Sequence, residues 1–383
     1  MIHRVMSESG TSTFFTIVLG LLITVLIILF LVALKKSIIK REIPDAPYVP
    51  EIDNTRDLTI LSVEKRTDTT YHVSVESLTE TISPVKSAMT MSIPVETFQE
   101  LINRVRYTSD AVIRYLNGNL KSPLERPESE LRKMGTVLYR YFIPREFADR
   151  LTHHYLLCEA EDMQIPWELL YSDQYFGLKY AISRRIKSER VTNTYVRKQR
   201  KKKALIIVDP TERVPEAISE CQWLKKALQN FFEVTYLKPE KAKKHDVMYH
   251  FSQEYDIIHY AGDLDDESCL PVYRDVLTCE EIEKTLEGSP LVFINGCGSA
   301  KGLTHDVGGL ARVFLERGAL SFVGSLWSIH DEKAAALATE FYKNTLWYPV
   351  GEALRSSREK YYSSFDITWA AFVMYGDPTL RLF

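Results

Sequence analysis

Cys297 stands in the segment LVFINGCGSA, residues 291–300, with Gly296 and Gly298 on either side. Four apolar residues, Leu291 to Ile294, lead into it and read as a buried strand that breaks at Asn295 and Gly296. A cysteine on such a tip can be a nucleophile if a base or a depressed pKa supplies the thiolate and nearby amides receive the developing oxyanion. The two glycines let the backbone turn sharply and bring its N–H groups near the sulfur. His259, in YDIIHYAG, lies 38 residues before Cys297, a spacing that suits adjacent strands joined by a loop and a crossover helix. Its imidazole could move a proton at neutral pH, and Asp263 follows it by four residues. Each has a plainer reading. A cysteine at a strand tip is often packing, and a histidine in mid-strand is often a hydrogen-bonded core residue.

The elements around these residues set where they sit. From about residue 203 onward, apolar strands such as ALIIVDP, FEVTYL, YDIIHYAG, PLVFING and ALSFVGSLW alternate with helical patterns such as EAISECQWLKKALQNF, GGLARVFLERG and DEKAAALATEFYKNTL. That alternation predicts an α/β fold, a mostly parallel sheet flanked by helices on both faces. In such sheets ligands bind beyond the carboxyl ends of the strands, which is where Cys297 and Asp263 fall. Residues 57–196 read as a mixed α+β lobe, with strands DLTILSV, TYHVSVES and HYLLCEAE and helices VETFQELINRVRYTSDAVIRYL and ELRKMGTVLYRYFIP. Residues 197–383 form the second lobe. The basic run Arg197–Lys203 between them reads as a solvated connector, or as a contact for anionic lipid or an acidic partner.

Ahead of both lobes, Phe14–Leu34 is a 21-residue run without a charge. As a helix it would span roughly 31 Å, close to a bilayer core, and it is too long for the apolar region of a signal peptide. The expected order is a short tail, 1–13, a transmembrane helix, 14–34, and a juxtamembrane linker, 35–56, with three prolines in 42–56. Lys35, Lys36, Lys40 and Arg41 follow the helix, so the positive-inside rule puts the body in the cytoplasm of a single-pass protein. The net charge of −3 gives no global field for nucleic acid. The five cysteines show neither a C-x-x-C pair nor a metal-ligand spacing, and CGSAKG lacks the phosphate-loop spacing. The sequence therefore calls for no cofactor, no metal and no nucleic acid.

DIIHYAG, LVFINGCGSA, GLARVFLERGALSFVGSLWSIHDEKAAALATEFYKNTL and WAAFVMYGDPTLRLF, together with IPWELLYSD and FGLKYAISRR, resemble the CHAT domain family of caspase-like cysteine peptidases. The resemblance covers about 120–383 well and 57–120 loosely. It implies a caspase-like sheet with a degenerate amino-terminal lobe and places Cys297 at the nucleophile position of an Asn-x-Cys-x-Ser pattern. It also implies a protein substrate or signalling partner, such as a gasdermin-like pore former, in bacterial defence or cell death. One departure matters. Typical members read His-x-x-Gly-His-Gly where this chain has His259, Tyr260, Ala261, Gly262, Asp263 and Leu264. The usual catalytic histidine is replaced by Asp263 and the following glycine by Leu264. Two expectations stand side by side. In one, Cys297 attacks, the amides around Gly296–Gly298 hold the oxyanion, and His259, or else His305 or His330, protonates the leaving amine. In the other the chain is a pseudopeptidase that binds a partner in its cleft; within the first, Asp263 itself could serve instead as a weaker base. Trp327 and Asp331, in SLWSIHDE, fit the family pattern near the cleft. Trp327 also reads as packing at the sheet end, and Asp331 as a cap for the helix that follows.

Overall fold

Eleven strands form one sheet in this computed structural model, which describes residues 58–67, 69–78, 87–92, 94–121, 127–160, 165–187, 200–264, 269–296 and 309–383. The tail, the apolar run 14–34, the linker, Cys297, Gly298 and His305 lie outside the described residues. Among the described residues, no helix is long and apolar enough to cross a membrane.

The strands are β1 (Leu58–Lys65), β2 (Thr70–Leu78), β3 (Ser87–Ser92), β4 (Tyr155–Ala160), β5 (Ala181–Arg185), β6 (Lys203–Val208), β7 (Glu233–Leu237), β8 (Ile257–Ala261), β9 (Cys269–Val272), β10 (Asp275–Thr278), β11 (Leu291–Asn295), β12 (Ser321–Ser325) and β13 (Phe372–Gly376). Their order in the sheet is β3-β2-β1-β4-β5-β13-β12-β11-β8-β6-β7, and β9 and β10 make a separate hairpin. Pairing is parallel from β1 through β4 and β5 to β13, and from β12 through β11, β8 and β6 to β7. The β13–β12, β1–β2 and β2–β3 pairs are antiparallel. The sheet is thus mixed but largely parallel, as the alternation predicts.

The long helices are α1 (Val95–Leu116), α2 (Pro127–Phe142), α3 (Glu216–Leu228), α4 (Lys244–Phe251), α5 (Cys279–Thr285), α6 (Gly309–Glu316), α7 (Asp331–Asn344) and α8 (Val350–Tyr361). Register explains how they cover both faces. Phe293 of β11 stands opposite His259 and meets the rings of Phe341 and Tyr342 from α7. Val292, one residue earlier, points the other way and pairs with Phe322, whose ring meets Phe314 of α6. All five residues of β8, of β11 and of β12 are buried, as doubly covered strands must be. In α7 the buried Ala334, Leu337, Ala338 and Phe341 recur at helical spacing on one face.

The chain leaves β6 toward β7 on one side and returns to β8 on the other. The sheet therefore has a topological switch between β6 and β8, beside β11, the place where open α/β sheets bind ligands.

Candidate active-site cleft

A cleft of about 260 Å³ opens at that switch. The tip of β8 supplies Ala261, Gly262 and Asp263, and the tip of β11 supplies Asn295 and Gly296. The β12–α7 turn adds Ser328 to Asp331, and α1 contributes Ile113, with Asn117 just past its end. Helix α1 is held to the turn by Ser109, whose hydroxyl donates to the Ser328 carbonyl at 2.8 Å.

Three bonds pin the floor. The Gly262 amide donates to the Asn295 carbonyl at 3.1 Å. The Ser325 hydroxyl donates to the Gly296 carbonyl at 2.8 Å. Asn295 Nδ2 donates to the Glu220 carboxylate of α3 at 2.7 Å. The two strand tips approach so closely that a Cβ on Gly296 would stand 2.7 Å from the Gly262 carbonyl oxygen and 2.8 Å from the Leu264 side chain. Glycine is required at 296 for this approach. Cys297 is the next residue in the sequence.

His259 is placed one layer below this floor. It is 0% exposed. Its Nδ1 is 3.2 Å from the Tyr342 hydroxyl. Its Nε2 lies 3.0 Å from Glu220 Oε1, close enough for an ion pair but without hydrogen-bond alignment. Glu220 lines the cleft and His259 does not. Among the described residues, the histidine that lines it is His330. Its Nδ1 is buried, and no described residue hydrogen-bonds it.

Asp263, which stands at the usual histidine position, pairs with Arg213 at 3.3 Å, both side chains partly exposed. Arg213 is carried by the loop after β6, and the Asp209 carboxylate fixes that loop by accepting the amides of Arg213 and Val214 at 3.0 and 3.1 Å. Asp331 also lines the cleft. Burial lifts its carboxyl pKa, Glu216 adds to the rise, and His330 opposes it, with smaller upward pushes from Asp263 and Asp209. Asp331 is the first helical residue of α7, and the capping position falls on His330, one residue earlier. Its carboxylate still faces the positive end of the helix. Trp327 is 6% exposed; it does not line the cleft but shares the lining of a separate small cavity with Ile102 and Val105 of α1 and Pro166.

The structure thus gathers Asp263, Gly296, His330 and Asp331 around one cleft and sets His259 beneath it and Trp327 outside its lining. The sequence reading missed Arg213, Glu220 and the α1 wall. Glu220 had a signal: it lies among Ala217, Cys221, Leu224 and Leu228, which together form the buried face of α3. Among the described residues, no group of three histidine, cysteine, aspartate or glutamate side chains could hold a metal ion.

A family profile for the CHAT domain matches residues 132–377. No curated protein sequence matches the chain. Among solved structures, two of the Saccharomyces cerevisiae separase–securin complex align with TM-scores of 0.57 and 0.56, at 12% and 11% identity, over 83% and 84% of this chain. The match spans only 30% of each separase chain. The Porphyromonas gingivalis RgpB pro- and mature domain complex aligns with a TM-score of 0.44, at 13% identity, over 66% of this chain and 69% of that one. At these identities the likeness to separase is one of fold: an α/β sheet flanked by helices.

Proposed function

The chain belongs to the CHAT domain family, and from that premise we propose that it is a cysteine endopeptidase, tethered to a membrane by residues 14–34, that cleaves a partner protein. One observation carries the reading. Asn295 and Gly296, the two residues ahead of Cys297, form the floor of a cleft at the carboxyl ends of a largely parallel sheet, where such folds do their chemistry. In this scheme the Cys297 thiolate attacks the scissile carbonyl carbon, and the carbonyl electron pair moves onto the oxygen near the amides of the strand tip. The proton leaves the thiol for an imidazole, which passes it to the amine as the C–N bond breaks. We assign that imidazole to His330, because it lines the cleft; His259 reaches the cleft only through Glu220. Water then releases the acyl group from the sulfur, with the same imidazole as base. The cytoplasmic orientation and a pore-forming or other defence partner belong to this proposal, and a tether would concentrate the enzyme where such a partner acts.

A second reading rests on Leu264 and Asp263. The Leu264 side chain packs against Gly296 where the family has a glycine, and Asp263 is engaged by Arg213. Both favour a pseudopeptidase that holds a partner in the cleft. The test incubates the full chain, in detergent micelles, with a proteome-derived peptide mixture and maps new amino termini by mass spectrometry, with Cys297→Ala as control. Cleavage that needs Cys297 supports the enzyme. No cleavage, with Cys297 alkylated at the rate and pH profile of an ordinary thiol, rejects it for the binding module.

A further inference from the structure

Below the cleft runs a buried polar chain that the bond-breaking scheme does not use. It passes from Tyr342 on α7 to His259 on β8, to Glu220 on α3, and to Asn295 at the tip of β11. Glu220 is 4% exposed and Asn295 8%. An ionised carboxylate only accepts hydrogen bonds. The Asn295 atom that faces Glu220 at 2.7 Å is therefore Nδ2, and the carboxylate fixes which way the amide points. The result falls on the other side of the amide. Asn295 Oδ1 is buried and has no hydrogen-bond partner, in a residue that lines the cleft. A buried acceptor left unpaired is costly, and native structures keep few of them. One at the floor of a cleft is tolerable if a ligand brings the donor.

The position narrows what that donor is. In the peptidase reading a peptide is bound in the cleft that Asn295 lines. The groups that every peptide substrate must bring there, whatever its side chains, are the peptide units flanking the bond to be cut, and each carries an N–H. We propose that Asn295 Oδ1 accepts a hydrogen bond from a main-chain N–H of the bound peptide, and that Glu220 is the positioning residue that aims it. The inference rests on the peptidase reading above. It gives that site a grip on substrate backbone that does not depend on side-chain identity.

The test compares two thiol probes on Cys297 in the full chain in detergent micelles. Methyl methanethiosulfonate carries no N–H. A set of dipeptidyl acyloxymethyl ketones, varied at the residue next to the reactive ketone, carries main-chain N–H groups. The readout is the ratio of second-order labelling rates, peptidyl over methanethiosulfonate, which cancels changes in the thiol itself. In Asn295→Ala the ratio should fall about tenfold, the effect of one hydrogen bond. Glu220→Leu, which frees the amide, should do the same. Glu220→Gln keeps an acceptor oxygen and should hold the ratio within about threefold. N-methylation of the ketone at the N–H beside the reactive group should lower wild-type labelling about tenfold and add little in Asn295→Ala; the wild-type arm needs no altered protein. An unchanged ratio in Asn295→Ala, equal losses in Glu220→Gln and Glu220→Leu, or no N-methyl effect on wild type overturns this inference alone. Wild-type Cys297 that reacts with methanethiosulfonate and with none of the ketones overturns the peptidase reading and this inference with it.

Discussion

Replacing Glu168 by Gln would strip the counter-charge from two guanidiniums in the driest part of the molecule. Glu168 and Arg358 are fully buried and Arg184 nearly so. The carboxylate takes a bidentate pair of bonds from Arg184, at 2.7 Å each, and one at 3.3 Å from Arg358. The two arginines feel it unequally. For Arg184, burial works against the charge and the paired carboxylate outweighs it, so its pKa is raised. For Arg358, burial dominates, and the pKa is pushed down to about 10. Two of its guanidinium nitrogens, Nε and Nη1, are buried without a partner. Removing one member of a buried ion cluster costs about 3–5 kcal/mol, because the rest is left uncompensated. At roughly 2–4 °C of Tm per kcal/mol, Glu168→Gln should lower Tm by roughly 6–20 °C in scanning fluorimetry. Arg358→Met removes the poorly satisfied cation and leaves the bidentate pair intact, so it should cost far less. A fall under about 2 °C for Glu168→Gln, or a larger loss for Arg358→Met, would refute this account of the cluster.

Four further outcomes follow from the same geometry. Glu352 joins His154 to α8; burial opposes its charge, but hydrogen bonds from His154 and Arg355 win and hold its pKa down to about 2. Its contribution should be whole above the free carboxyl value of 4.5 and fade as pH falls through about 2, so wild type and Glu352→Gln should converge in Tm only near pH 2. His330→Gln should slow alkylation of Cys297 at pH 7 by about tenfold or more, whereas His259→Gln should change it under about threefold and lower Tm instead; the reverse pattern would return the proton to His259. Gly135→Ala would put a Cβ 2.1 Å from the Leu169 carbonyl oxygen and should destabilise the fold by about 1–3 kcal/mol in a urea titration. Deleting residues 1–34 should move the protein from the membrane pellet to the supernatant, and continued pelleting would remove the anchor.

Much of the region from residue 203 onward could be read from the sequence because its elements are regular. The strands β6, β8, β11 and β12 are continuous apolar runs, and α3 and α7 have clear helical spacing. What escaped was short or lacked a pattern. SAMTMS of β3 is an exposed edge strand without alternation between faces. The β9–β10 hairpin has only four residues per strand. FVMYG of β13 is a brief apolar run after a helical turn, and its partners are far away in sequence. In the cleft, Asp263 and Gly296 could be singled out in the sequence because they follow apolar strand runs, and Asp331 because SLWSIHDE resembles the family pattern. Glu220 could be seen on the apolar face of α3, but its partners Asn295 and His259 lie far away in sequence.

Strand β13 has a consequence for how the molecule is made. It follows the other ten strands of the large sheet in sequence, yet sits between β5 and β12. Ser183 and Gly376, which it brings into hydrogen-bond contact, are 193 residues apart. Until β13 inserts, β5 and β12 each present a raw edge of unpaired backbone groups, a template for other chains. Loop length alone adds little, about 0.6 kcal/mol per doubling, so the hazard lies in the waiting. A nascent chain that stalls or is cut short of Phe372 would carry two half-sheets with open seams, a target for chaperone capture and, failing that, for aggregation.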